Sequence, residues 1–352
     1  MSSDIRIAHG ALTLRVCPVC GVVQKRLDAA WKAAVAGIYS DYAINHQGEG
    51  SEPVIFRSVY GSGPRATILA THLAASAALG TRGRMLDIGC ANGNFLRAFG
   101  ETHPEWRLTG MENSTRWRAT VLGLPGVEGF VTDDAELGSE RFDLIVMSHV
   151  LEHLPDPSRF LVRLRSRLTP AGLLFLAVPD LRQNPIDVLV LDHCSHFDCA
   201  TLAGLLGRSG FAPESIRAEV LGKEILALAR PGPAPAPAPE ALPPLAALVE
   251  AHLAHCGRLR DRARALRAGH ASFGILGSAT AAAWLAGELD LAVDFFVDED
   301  PGRVGHELFG RPIVALAQVP AGACVALPMA AEAAEAVRAR ANRNDLRLVT
   351  LP

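Results

Sequence analysis

The junction Asp87-Ile88-Gly89-Cys90-Ala91-Asn92-Gly93 constrains this chain more than any other segment. An apolar strand, Arg84–Gly89, runs straight into it, and a helical pattern, Asn94–Glu101, leaves it. Nucleotide-binding α/β sheets are built on this joint. Glycine lets the backbone turn sharply and lets a ligand approach closely, and the start of the helix presents unpaired N–H groups. The alternation then continues. Trp106–Glu112 reads as a second strand, with a helix after Asn113-Ser114. Val127–Val131, Phe142–Met147 and Leu173–Val178 read as the third, fourth and fifth strands. Between the last two, Phe160, Leu161, Leu164 and Leu168 form a helical face, and Ala212–Arg217 and Glu224–Ala229 are two further strands. Strands alternating with helices predict a mostly parallel, doubly wound sheet covered on both faces.

Punctuation divides the rest. Residues 231–239, PGPAPAPAP, have the composition of an extended Ala-Pro linker. Beyond it, Leu245, Leu248, Val249, His252, Cys256, Leu259, Ala263 and Leu266 share one face at helical spacing. The arginines interleaved there, Arg258, Arg260, Arg262, Arg264 and Arg267, read as the solvated side of that helix. A compact α/β pattern fills 271–352, and a helix is expected around Gly63–Ala78. The expected organisation is therefore a small cysteine-bearing module over 1–62, the doubly wound domain over 63–230, a linker over 231–243, and a helix plus second α/β domain over 244–352.

Composition sets outer limits. A net charge of −3 gives no global attraction to nucleic acid or to an anionic membrane. No run of 18 apolar residues suggests a membrane span, and the N-terminal residues lack a secretory pattern. Seven scattered cysteines fit a reducing cytoplasm better than a disulfide framework.

Two features separate the glycine turn from a dinucleotide site. Its spacing is G-x-x-x-G, and an acid, Asp87, stands at the strand end, where it suits an ammonium better than a pyrophosphate. A second acid, Glu112, closes the next strand 19 residues after Gly93, where a carboxylate can accept both hydroxyls of a ribose.

With these residues in view, DIGCANGNF, FDLIVMSHVLEHLPDP and GLLFLAVPD resemble the motifs of class I S-adenosylmethionine (SAM)-dependent methyltransferases. The resemblance implies a Rossmann-like fold and SAM as cofactor. It implies that Asp87, Gly89, Cys90 and Gly93 line the methionine end and that Glu112 holds the ribose. Asp134 and Ala135 would flank the adenine, with His149 and Val150 beside the methyl donor.

The flanks narrow the resemblance. Cys17-Pro18-Val19-Cys20-Gly21, then Ile38-Tyr39-Ser40-Asp41-Tyr42, Asp192-His193-Cys194-Ser195-His196-Phe197, and Gly274-Ile275-Leu276-Gly277-Ser278-Ala279 occur in the order found in nucleotide-sugar C-methyltransferases. That family has an N-terminal zinc-binding module, a central methyltransferase domain and a C-terminal Rossmann-like domain. The resemblance implies zinc at Cys17 and Cys20. His9 is a candidate third ligand and no fourth is evident, so a metal-free knuckle is the other reading. The family's acid-His pair stands here as Asp192-His193, with Val190 where a tyrosine is usual.

If the acceptor is the carbon beside a keto group, a base must remove its proton, and imidazole suits that near neutral pH. His193 oriented by Asp192 is the first candidate and His153 the second, with Tyr42 and His196 as substrate contacts. Three functions stay open. The first is C-methylation of a nucleotide-linked keto-deoxysugar, and the second is O- or N-methylation of a sugar, glycan or other small metabolite. The third is a non-catalytic scaffold that keeps the fold.

Overall fold

The structure, a computed structural model, describes residues 1–7, 13–39, 52, 54–56, 58–233 and 245–352. Strands β1 (Leu14–Val16) and β2 (Val23–Lys25) form an antiparallel hairpin whose turn carries Cys17 and Cys20. Helix α1 (Ala29–Tyr39) follows, burying Trp31, Val35 and Ile38. Short strands β3 (Val54–Ile55) and β4 (Gly63–Pro64) pair ahead of helix α2 (Arg65–Ser76).

The central sheet comes next in chain order: β5 (Arg84–Ile88), α3 (Asn94–Thr102), β6 (Arg107–Met111), α4 (Arg118–Leu122), β7 (Val127–Val131), β8 (Phe142–Ser148), α5 (Pro157–Leu164) and β9 (Leu168–Pro179). Then follow β10 (Ser195–His196), α6 (Cys199–Arg208), β11 (Phe211–Arg217) and β12 (Glu224–Pro231). The seven-stranded order is β11-β12-β9-β8-β5-β6-β7, parallel from β9 to β7, with β11 and β12 antiparallel at the other edge. Because β6 lies on one side of β5 and β8 on the other, the chain reverses its winding at β5. In such sheets the crevice beyond the strand C-termini opens at this point.

The strand period of two divides the core. Met85, Leu144, Val146 and Phe175 face α2 and α3 through Leu69, Leu73, Phe95 and Phe99. Leu86, Ile145, Met147 and Leu174 face α5 and α6 through Leu161, Leu164, Leu202 and Leu205. Both faces of the sheet are dry, as the near-continuous apolar strands require.

The hairpin is not separate from this domain. β10, which follows β9, adds to β2 and makes a three-stranded sheet β1-β2-β10. Beyond the linker, α7 (Leu245–Ala268) buries the expected face, with Val249, His252, Cys256, Leu259, Ala263 and Leu266 inward. His252 Nε2 bonds the Leu181 carbonyl at 2.6 Å, which ties this helix to the loop after β9. The remaining elements are β13 (Phe273–Leu276), α8 (Thr280–Glu288), β14 (Phe295–Val297), β15 (Glu307–Leu308), β16 (Arg311–Val314), β17 (Cys324–Leu327), α9 (Ala331–Ala341) and β18 (Arg347–Thr350). They make a second sheet, β15-β16-β14-β13-β17-β18, parallel apart from β15 and wound to both sides of β13. Among the described residues no helix is long and apolar enough to cross a membrane.

Candidate functional site

The turn after β5 is shaped by a neighbour as much as by its own glycines. Gly89 has φ +73°, and a Cβ built there would lie 2.4 Å from Val150 Cγ2. Val150 follows β8, so the two strand ends at the winding reversal are in van der Waals contact and only glycine fits between them. The non-glycine residues Ala91 (φ 45°) and His149 (φ 54°) are also left-handed here. Such conformations cost on the order of 1–3 kcal/mol each and concentrate at functional sites.

The turn is rich in acidic groups. Asp87 is 2% exposed, and burial, with Glu112 nearby, pushes its carboxyl up to about 8. Burial also raises Glu112, although Glu112 accepts hydrogen bonds from Ala91 N (3.0 Å) and Asn113 N (2.9 Å). Among the described residues, no arginine or lysine is ion-paired with either acid. A ligand bearing an ammonium and vicinal hydroxyls would supply what both carboxylates lack. Cys90 and Gly93 lie in the same loop, and Gly93 is the residue before α3. Asp134 and Ala135 sit in the turn after β7. There Asp134 is exposed and pairs with Arg167 at 2.9 Å.

At the end of β8 the charges are paired tightly. His149 lies between two carboxylates, with Nδ1 3.0 Å from Glu152 Oε1 and Nε2 3.2 Å from Glu224 Oε2. Burial opposes its protonation, but Glu224 and Glu152 outweigh that and raise the imidazole to about 9. Glu224 opens β12 and also takes a two-pronged contact from Arg65, at 2.8 and 2.5 Å. Arg65 donates as well to Ser148 Oγ at 2.8 Å. Sequence reasoning singled out His149 but missed Arg65, Glu152 and Glu224.

A second cluster adjoins the first. The loop 190–196 is fastened to the turn after β8 by Cys194 N on the Glu152 carbonyl (2.6 Å) and Cys194 Sγ on the His153 carbonyl (3.1 Å). The rings of His153 and His193 meet edge to face at 4.7 Å. The expected pairing of Asp192 with His193 does not form. His193 Nδ1 bonds Asp187 Oδ1 at 2.7 Å. Asp192 instead accepts from Ser3 N (2.8 Å) and Ser3 Oγ (2.5 Å), and its Oδ2 lies 3.5 Å from His153 Nδ1. The reason is local geometry: in a non-helical loop, consecutive side chains leave the backbone in different directions, so adjacent residues seldom pair. Each histidine is thus backed by its own carboxylate. Burial, with His193 alongside, lowers His153.

His196 also departs from expectation. It is 1% exposed, and both ring nitrogens are engaged, Nδ1 with Asp187 Oδ2 at 2.5 Å and Nε2 with Lys25 Nζ at 3.1 Å. A direct substrate contact is closed to it. Asp187, six residues before His193, was missed because sequence adjacency favoured Asp192, and Lys25 because it is far from His193 in sequence. Tyr42 lies outside the described residues. The neighbouring Tyr39 lies 3.1 Å from His153 Nδ1 through its hydroxyl.

Two triads, Glu152/His153/His193 and Asp187/His193/His196, bring three ligand-type atoms within 4.8 Å of one another. Cys17 and Cys20 are joined by no third ligand-type side chain among the described residues, and His9 lies outside them.

Residues 63–216 match the family described as "Methyltransferase domain". The trans-aconitate 2-methyltransferase of Methylobacterium nodulans is 33% identical over 118 residues, 33% of this chain and 46% of that protein. The ubiquinone biosynthesis O-methyltransferase of Actinobacillus pleuropneumoniae is 29% identical over 106 residues, 27% of this chain and 44% of that protein. The chain therefore spans less than half the length of these curated relatives. Among solved structures, the mitomycin 7-O-methyltransferase MmcR aligns with a TM-score of 0.40 at 21% identity, over 47% of this chain and 54% of that one. The glycine turn, Glu112, His149 and His153 all lie within the stretch that matches this family.

Proposed function

We propose that the protein is a SAM-dependent methyltransferase whose acceptor is a small molecule. We further propose that the methyl group goes to the carbon beside a keto group of a nucleotide-linked deoxysugar. The methyltransferase domain and the uncompensated acids of its glycine turn support the first part. The donor set suits SAM: Asp87 for the ammonium, Glu112 for the ribose hydroxyls, and the Gly89–Val150 contact as the floor of the pocket. When bound, SAM supplies an electrophilic methyl group on a positively charged sulfur.

The observation that carries the second part is the buried His193–Asp187 pair. An O–H acceptor gives up its proton readily, whereas a C–H acceptor needs a base held in one tautomer and orientation. Asp187 takes the Nδ1–H and leaves Nε2 to remove the proton. Asp87, Glu112 and the 190–196 loop then act by position, holding the partners in line. A second reading, O-methylation of another small acceptor, draws support from the O-methyltransferase named among the relatives.

Incubation with SAM and a panel of nucleotide keto-sugars in deuterated water, followed by mass spectrometry, tests both. C-methylation predicts a methylated product and deuterium exchange at the acceptor carbon. Both should depend on His193, and His193→Ala should keep SAM affinity while losing about 10²–10⁴-fold in turnover. A methyl ether or ester product, formed at near-normal rate by His193→Ala, would replace the first reading with the second.

A further inference from the structure

Lys25 ends strand β2 of the N-terminal hairpin and is 4% exposed. A buried ammonium is tolerated only when its donors are satisfied. All three have acceptors here: Val190 O at 2.6 Å, His193 O at 2.8 Å and His196 Nε2 at 3.1 Å. An ammonium donates and cannot accept, so His196 Nε2 is the acceptor and its proton sits on Nδ1. That Nδ1–H donates to Asp187 Oδ2 at 2.5 Å, and the other oxygen of Asp187 takes the Nδ1–H of His193 at 2.7 Å.

We infer that Lys25, His196 and Asp187 form a positioning chain that fixes His193 as the Nδ1–H tautomer, with Nε2 poised to accept a proton. The chain begins on the N-terminal hairpin, so this hairpin is part of the active site. The inference rests on His193 being the base proposed above. All three are buried, Lys25 at 4%, Asp187 at 1% and His196 at 1% exposure. They act on the ring they hold.

The charges facing this chain are consistent with it. Asp187, Asp192, His196, Cys194 and the N-terminal ammonium surround Lys25. Burial pulls Lys25 down to about 8 despite the two aspartates, and burial together with Lys25 pulls His196 down to about 4. Asp187 is held well below the usual carboxylate range, because His196 and His193 outweigh its burial. Near pH 7 the chain therefore carries one cation, one neutral ring and one anion. Above about pH 8 a neutral amine has two hydrogens, which the two carbonyls retain. Its lone pair then meets the His196 Nε2 lone pair, and the hold on Asp187 loosens.

Nitrogen-15 imidazole NMR on the full chain tests this without knowing the acceptor, with the signals assigned through His193→Gln and His196→Gln. Both rings are expected as Nδ1–H tautomers at pH 7, with the His196 signal changing as pH passes about 8. Lys25→Met should abolish that change and convert His196 to a mixture of tautomers. Asp187→Asn should do so for both rings. SAM affinity, measured alongside, reports whether each variant is folded. On the true acceptor, Asp187→Asn should lower kcat with KM unchanged, and Lys25→Met should remove the fall in kcat above pH 8. Nε2–H tautomers in the native protein would overturn the chain, as would a stoichiometric divalent metal on His193 and His196. The same holds if Lys25→Met leaves both the tautomers and the pH profile unaltered. The expected tautomers together with normal turnover by His193→Ala would leave the chain standing and defeat the base assignment instead.

Discussion

The two parallel sheets of this molecule share a design and differ in one respect. In each, a first strand runs into a glycine turn at positive φ, Gly89 at +73° and Gly277 at +90°. In each, an acid after the second strand takes an N–H of that turn: Ala91 N on Glu112 at 3.0 Å, and Ser278 N on Asp298 at 3.0 Å. The difference is charge. Asp298 also accepts from Ser278 Oγ at 2.5 Å, and Arg303 lies 3.4 Å from Asp298 and 3.6 Å from Asp300. The second turn has closed its electrostatics internally. The first has two raised carboxyls and, among the described residues, no basic partner. Winding reversal makes a crevice in both sheets. On the function proposed above, the acids left without a basic partner mark the ligand site in one of them, and fold alone does not assign a second activity to the other.

The largest effect that would test this contrast is steric. Gly89→Ala puts a Cβ 2.4 Å from Val150 Cγ2 at a left-handed position. Strain and overpacking together should cost about 2–6 kcal/mol of stability and remove SAM binding. Gly277→Ala meets nothing nearer than Ala282 Cβ at 3.9 Å. It should cost only the backbone strain, about 1–3 kcal/mol, and leave SAM affinity alone. Denaturant unfolding and calorimetry check both, and equal loss of SAM affinity in the two variants would erase the distinction.

The elements of the central sheet were legible because strand period, glycine turns and helical faces agreed with one another, whereas residues 271–352 read only as a compact α/β pattern. Val127–Val131 falls where expected. β9 starts earlier than expected, at Leu168, because Thr169-Pro170-Ala171-Gly172 has no alternation and is held by pairing of Leu168 with Phe142. In the site, Asp87 and Glu112 were singled out by their places at strand ends, and His149 by the resemblance of its motif. Asp187 was not. A turn closed by Val190 N on the Asp187 carbonyl carries it back to His193, and sequence adjacency favoured Asp192. Lys25, Arg65 and Glu224 were hidden for another reason. A charged residue reads as solvated until the structure shows the partner that permits its burial.

A smaller effect separates the two acids. Glu112→Ala should weaken SAM binding by roughly 1–3 kcal/mol, the cost of leaving buried ligand hydroxyls without an acceptor. Asp298→Ala should leave that affinity unchanged and lower stability, because Arg303, at 12% side-chain exposure, loses one of its two carboxylates. Titration calorimetry on each variant decides it. An unaltered affinity in Glu112→Ala would remove Glu112 from the ribose.

The smallest effect is a proton. A carboxyl raised in the folded state binds more protons than it does unfolded. Its contribution to stability is therefore fully present below the unfolded value, near 4, and lost as pH rises through about 8. Without ligand, stability should fall across that window on account of Asp87. A ligand ammonium beside Asp87 favours the ionised form, so binding near pH 7 must expel the Asp87 proton. S-adenosylhomocysteine is the cleaner probe, since it keeps the ammonium and lacks the sulfonium. Its binding enthalpy at pH 7, measured in two buffers of different ionisation enthalpy, should report release approaching one proton. Asp87→Asn should abolish the release. Ionisation of Asp87 also supplies the ligand's opposite charge, so affinity should rise from pH 6 to about 7.5, below the range where the ligand's own amine titrates. Enthalpies independent of buffer, in protein that binds normally, would mean that Asp87 is already ionised. The charge contrast between the two turns would then rest on Glu112 alone.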